Sequence, residues 1–271
     1  MAFCKNHDHL YFDSLRRTEK AEAVLCLIHA TYQSKINNGS KEDIARLLKN
    51  AYELFRFTSG TYTGENLSQF ASQYTIGHEL GIWLNANLDL CPLALKVAKN
   101  EITITEYFDI FFLNYIQPID NKIIHPLYMT LEYAKDKNLN IISKDDLKNI
   151  FSFASNSKDN NINGMFNMFI GSSYFLKLND KEMKICYPVE DILECCNTEC
   201  INLNISSLSN SFSNLNTYVS YLTEDHRSIK LIQDKFMKST IYQSKNNDKI
   251  ACNRIYYGIP GCGNYVKLEI M

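Results

Sequence analysis

A mainly α fold with small β-hairpins is predicted by three features of this 271-residue sequence. One helical pattern occurs twice. A short strand-turn-strand pattern follows each copy, and a glycine-rich turn follows an apolar strand close to the last residue. Hydrophobic residues at 45% are enough for packed cores, and charged residues at 21% are ordinary for a globular chain. The length suits one large or two to three small domains, at roughly 150 residues per domain.

A net charge of -2 gives no global attraction for phosphate, so any nucleic-acid binding has to come from a local basic face. The start, MAFCKNHDHLYF, lacks the basic-then-apolar order of a secretion signal. No stretch approaches the ~18 apolar residues of a membrane span; the best, Tyr107 to Ile116, is interrupted by Asp109 and Asn114. Nine cysteines, an odd number, without a secretion signal fit a reducing compartment rather than a disulfide framework. The expected setting is cytoplasmic, with no membrane partner.

The first element of the repeat is a capped helix. Ser40-Lys41-Glu42-Asp43 and Ser143-Lys144-Asp145-Asp146 share one form, a serine that caps a helix and an acid three residues on that bonds back to it. Beyond the caps, Ile44, Leu47, Leu48 and Ala51 match Leu147, Ile150, Phe151 and Ala154, the stripe of a helix packed on one face. Upstream, Ala21, Val24, Leu25, Ile28 and Tyr32 mark a helix starting near Thr18, and Pro126 opens one with Leu127, Leu131 and Ala134. Downstream, Leu67, Phe70, Ala71 and Tyr74 mark a third helix, mirrored by Ile162, Met165, Phe166 and Phe169. Gly77 and Gly171 stand where C-caps belong.

After Gly171, Tyr174, Leu176 and Leu178 alternate with polar residues, Asn179 to Lys181 turn, and Met183, Ile185 and Tyr187 alternate back. After Gly77, Ile82-Trp83 and Leu88 to Leu90 flank Asn85-Ala86-Asn87. Three helices followed by a hairpin is the order of a winged helix. The sequence therefore divides into a first winged-helix-like unit (1–100), a linking aromatic helix (Phe108, Phe111, Phe112, Tyr115) with a second such unit (101–200), a Ser/Asn-rich linker and helix (201–252), and a final segment (253–271). Within these, Glu190 to Cys196 suits a short helix, Asn202 to Asn216 a loop, and Asp225 to Lys238 a helix with Arg227, Lys230, Lys235 and Lys238.

The final segment, Asn253-Arg254-Ile255-Tyr256-Tyr257-Gly258-Ile259-Pro260-Gly261-Cys262-Gly263, reads as a strand entering a glycine-rich turn. Gly258 and Gly263 occupy the two glycine positions of G-x-x-x-x-G-K-[ST], and Gly261 lies between them. In a P-loop such glycines let backbone N–H groups curl around phosphate, while lysine neutralises charge and the hydroxyl binds magnesium. Here Asn264 and Tyr265 replace those two residues, and the chain stops at Met271 before a following helix. A nucleotide-binding remnant without catalysis or cofactor is expected, the truncated start of a P-loop domain.

Arg254 to Gly263 resembles the opening of the AAA+ motor subunit of McrBC-type restriction systems. The stretch Leu93 to Tyr107, with Glu101-Ile102-Thr103-Ile104-Thr105-Glu106-Tyr107-Phe108, followed by Ile124-His125-Pro126-Leu127, resembles the N-terminal helical region of restriction-associated proteins, including AlwI-like endonucleases. The resemblance covers most of residues 15–187 in pattern and is motif-specific near the end. It implies an N-terminal region that recognises double-stranded DNA, a motor that hydrolyses nucleotide, and a nuclease subunit reached through the motor. Asn264 and Tyr265 depart from that pattern, so the NTPase activity is not carried over.

A winged helix reads DNA with its third helix and touches phosphate with its wing. The base-reading candidates are Asn66, Gln69 and Gln73 in the first unit and Asn160, Asn163 and Asn167 in the second. Phosphate candidates are Arg16, Arg17, Lys177, Lys181 and Lys184. No catalytic or metal residues are expected. His7-Asp8-His9 fits a mobile terminus better than a metal pair. Cys186, Cys195, Cys196 and Cys200 lack zinc-ligand spacing, and Glu182-Met183-Lys184 falls in the wing rather than on a nuclease strand. His29 and His78 fit packing or capping roles. The expected role is the DNA-recognition module of a restriction or phage-defence NTPase. The alternatives are a protein-interaction or oligomerisation module and a fragment of an AlwI-like endonuclease.

Overall fold

Helices α1 (Ala21–Ile36) and α2 (Lys41–Phe55) open a mainly helical fold with small antiparallel sheets, in a computed structural model that describes residues 7–10, 21–55, 77–154 and 159–224. Ser40 accepts from the Asp43 N–H, and Asp43 accepts from the Ser40 N–H at 2.8 Å, so α2 begins on the expected capping box. The connection back from α1 passes through Asn38, whose φ of 53 lies in the left-handed region. Asparagine recurs in this conformation after α3 (Pro92–Ala98) at Asn100 and after α5 (Pro126–Asp136) at Asn138, doing at helix ends what glycine usually does.

The expected aromatic linker is α4 (Ile104–Asn114), which starts on a Thr103–Glu106 capping box. Its residues from Tyr107 to Asn114 are all buried, the mark of a helix enclosed on every side. It packs against α1, α3, α5 and α10 (Leu215–Thr223). Phe111 stacks on Tyr115, and Phe112 meets Phe169 edge to face. Each buried phenylalanine contributes about 1.5–3 kcal/mol, so α4 is the axis of the core rather than a tether. Among the described residues no helix is long and apolar enough to cross a membrane.

After α4 a two-residue hairpin joins β1 (Gln117–Ile119) to β2 (Lys122–Ile124). Both turn residues, Asp120 and Asn121, have positive φ (47 and 62), the geometry of a type I′ turn whose twist matches the flanking strands. The hairpin was not expected, although an Asp-Asn pair between apolar residues is its signature. His7 bridges Ile119, donating its N–H to Pro118 and accepting from that of Asp120. Leu10 is fully buried, and its carbonyl accepts from the Asn161 side chain at 2.8 Å. Residues 7–10 are thus built into the fold, which corrects the expectation of a mobile terminus at His7-Asp8-His9.

Helix α5 starts at Pro126 with His125 as its cap, followed by β3 (Ile141–Ser143), α6 (Lys144–Ile150), α7 (Asp159–Phe169), β4 (Phe175–Lys177) and β5 (Glu182–Ile185). The strands form one antiparallel sheet in the order β3-β5-β4, with Ile142 opposite Met183 and Phe175 opposite Ile185. Those four side chains are buried, and Phe175 stacks on Phe169, so the inner face of the sheet lies against α7. Ser143 and Asp146 form the expected capping box of α6.

The glycine expectations need correction. Neither Gly77 nor Gly171 has a positive φ, so neither is a left-handed C-cap. Their value is space. A Cβ on Gly77 would lie 2.4 Å from the Trp83 ring, and one on Gly171 would crowd Ala21 and Phe108 at 3.2 and 3.3 Å. After α8 (Val189–Cys195), the Ser/Asn-rich stretch read as a loop forms α9 (Ile205–Ser211) and leads into α10. Its asparagines are the reason, since Asn204 and Asn214 each accept from an N–H three residues on and cap the two helices. Asn114 of α4 donates to the Leu222 and Glu224 carbonyls, which holds α10 on the core. The expected helix from Asp225 to Lys238 and the third helix of the first unit lie outside the described residues.

Candidate nucleic-acid interface

The second unit presents α7 and the β4–β5 hairpin. On α7, Asn163 and Asn167 are half-buried and one helical turn apart, while Ile162, Met165, Phe166 and Phe169 fill the core. Asn160 lies on the same helical edge by position. The polar edge is narrow, and α7 carries no lysine or arginine. Its first residue, Asp159, pairs with Lys148 of α6 at 3.0 Å, which ties the two helices together and places a carboxylate near the helix start.

The hairpin turn is fixed before any ligand arrives. Asn179 accepts from the Lys181 N–H at 2.8 Å and donates its amide to Glu182 at 2.6 Å, while the Lys181 carbonyl accepts from the Lys144 N–H. The three candidate lysines are exposed but do not form one patch. Lys184 lies opposite Leu176, whereas Lys177 lies opposite Met183, so Lys177 and Lys184 point to opposite faces of the sheet. The Lys177 ammonium is 2.6 Å from Asp180, an exposed pair that holds Asp180 below the usual carboxylate range but contributes little to stability.

Lys144, part of the expected capping segment of α6, also reaches the second hairpin. Its ammonium lies 4.8 Å from the centre of the Phe166 ring, and its backbone bonds to Lys181, so it stands between α7 and the hairpin turn.

Two buried polar groups hold this unit to the rest. Asp109 of α4 accepts from the Ser173 N–H and hydroxyl, both at 2.7 Å, just before β4, and the Tyr174 hydroxyl donates to the Asp109 carbonyl. Burial raises the Asp109 carboxyl to about 7, against the lowering effect of the two Ser173 bonds. His125 is fully buried. Its Nδ1 accepts from the Tyr128 N–H, so its Nε2 carries the hydrogen and donates to the Leu113 carbonyl at 3.0 Å. Burial lowers its pKa to about 4 and keeps the ring neutral. His78 packs edge to face on Trp83, and burial lowers it to about 4 as well. His29 is half-buried on α1 and also lowered by burial.

Among the described residues no group of three or more His, Cys, Asp or Glu is placed to hold a metal ion. Cys195, Cys196 and Cys200 are buried thiols, and Cys186 is half-buried. Glu182 and Lys184 sit on the hairpin as expected. Arg16, Arg17, Asn66, Gln69, Gln73 and the glycine-rich turn with Gly258, Gly261 and Gly263 lie outside the described residues. Comparison with protein-family models, with curated proteins and with solved structures returns no match.

Proposed function

We propose that residues 126–185 form a winged helix and that the chain is the DNA-recognition module of a restriction or phage-defence NTPase, without catalysis of its own. The observation that carries this reading is the path α5, β3, α6, α7, β4, β5, with the strand between the first two helices pairing to the returning strand of the hairpin. Such a unit lays its third helix in the major groove and its wing along the backbone. Asn163 and Asn167 supply the amide groups that pair with adenine edges. Lys181, Lys177 and Lys144 surround the approach and contact phosphate. Lys184, on the far face of the sheet, leaves that set.

The motif from Gly258 to Gly263 and its resemblance to McrBC-type motors support the placement of this module beside a nucleotide-driven engine, with a nuclease subunit acting through that engine. Asn264 carries no charge and Tyr265 is too long for the magnesium position, so the loop itself does not turn over nucleotide. The test is selection of bound duplexes from a random pool, methylated and unmethylated. The full chain enriches a preferred sequence. Replacing Asn163 and Asn167 together by Ala removes the preference, at about 1–3 kcal/mol for each lost base contact. An unchanged preference in the double variant overturns the assignment of α7.

A further inference from the structure

The outer face of the β3-β5-β4 sheet carries exposed aliphatic side chains beside charged ones. Ile141, Leu176 and Leu178 are 39%, 56% and 45% exposed, three of the four large exposed hydrophobics among the described residues. They lie together. Ile141 and Leu176 flank Lys184 from its two neighbouring strands, and the Leu178 N–H donates to the Glu182 carbonyl. Glu182 and Lys184 are two residues apart on β5, so they share this face with their charges side by side along the central strand. The opposite face is occupied by α7, through Phe169 on Phe175.

We propose that this outer face is a self-association surface, closed by a second copy of this chain about a two-fold axis that crosses β5 at right angles near Met183. An axis so placed lays β5 over its copy in the opposite direction. Lys184 then meets the second copy's Glu182, and Leu176 meets the second copy's Leu178, each contact occurring twice. A two-fold axis along the strand would instead set Lys184 against Lys184, two like charges in contact. The face is thus self-complementary in charge and shape for one orientation and repulsive for the other, which is what an isologous interface requires. Sheets pack face to face at about 10 Å with strand directions within about 30°, and antiparallel stacking meets that condition. The surface faces away from α7 and borders the hairpin turn at Leu178 and Glu182, so a dimer leaves α7 and Lys177 open in both copies.

The test uses the full chain and two charge reversals at solvent-facing positions, Lys184→Glu and Glu182→Lys, measured by sedimentation equilibrium. The wild-type chain is expected to dimerise in a concentration-dependent manner. Each single reversal places like charges in contact twice and raises the dimer dissociation constant by roughly tenfold or more. An equimolar mixture of the two variants restores a heterodimer, because each glutamate then faces a lysine. That rescue also shows that both variants fold. A monomeric wild-type chain, self-association indifferent to both reversals, or a mixture that fails to associate overturns the proposal. DNA selection on the same samples reads the proposed function independently, since loss of self-association leaves Asn163 and Asn167 in place.

Discussion

The two hairpins that follow the repeated helical pattern are used in opposite ways. In the first unit, Trp83 and Leu90 form a single bridge, Trp83 is fully buried, and its indole N–H donates to Thr31 of α1 at 3.2 Å. Lys35 reaches across from α1 to the Asn87 carbonyl and to Asp89, clamping the turn to the helix. In the second unit the hairpin gains β3 as a third strand and exposes lysines, leucines and a fixed turn. One hairpin is a plug in the core and the other is a surface. Related sequence patterns thus lead to different roles: Trp83 against Gly77 and the Lys35 clamp hold the first hairpin to α1, whereas β3 extends the second.

The largest effect separating the two hairpins is on stability. Trp83→Ala empties a fully buried site and is expected to destabilise by about 3–5 kcal/mol, whereas Leu176→Ala, exposed on the single chain, changes stability by about 0.5 kcal/mol or less at concentrations below self-association. Urea denaturation of both variants checks this. Similar losses in the two would erase the distinction between plug and surface.

A second effect concerns Asp109, which fastens the base of the second hairpin to α4. Its pKa rises from 3.8 in the unfolded chain to about 7 in the fold. Between those values the native state holds a proton that the unfolded chain releases. Its contribution to stability is therefore full below about pH 4 and lost as pH rises to about 7, at up to roughly 1.4 kcal/mol per pH unit. His125 acts in the reverse sense, since its lowered pKa makes stability fall as pH drops from 6.5 towards about 4. In Asp109→Asn the decline in stability from pH 5 to pH 7 should shrink, as followed by thermal melts across that range. A slope equal to that of the wild type would remove Asp109 from the linkage.

The smallest effect compares the caps. Ser143→Ala and Ser40→Ala should each cost about 1 kcal/mol. Ser143 is expected to cost more, because its hydroxyl accepts from the Asp146 N–H at 3.0 Å while the matching distance at Ser40 is 3.4 Å. Equilibrium unfolding of the two variants ranks them, and the reverse order would mean that the first unit depends more on its cap.

Local chemistry made part of this legible. The two serine capping boxes, the Tyr174 to Tyr187 hairpin and the helix at 189–195 follow from side chains within a few residues of one another. What escaped depends on distant partners or on asparagine. The stretch from Asn202 to Asn216 has loop composition, yet Asn204 and Asn214 serve as helix caps and Leu208 and Phe212 find the core. The enclosure of α4 is set by contacts with helices far away in sequence. At the candidate interface the asparagines of α7 were legible from helical spacing. The division of the lysines was not legible, because matching Tyr174, Leu176 and Leu178 to Met183, Ile185 and Tyr187 puts Lys177 and Lys184 on one face, whereas the register buries Phe175 and turns Leu176 and Leu178 outward with Lys184. Lys144 needed the fold, since only the packing of α6 brings its ammonium to Phe166.

The measurement that tests the central claim most directly is the salt dependence of binding to duplex DNA by the full chain, beside a variant with Lys177 and Lys181 both replaced by Ala. If the second hairpin follows the phosphate backbone, the variant binds all sequences more weakly, and the slope of log affinity against log salt falls by up to about 0.9 per lost lysine contact. A wild-type chain that binds no duplex at low salt, or a variant with the wild-type affinity and slope, would contradict the account.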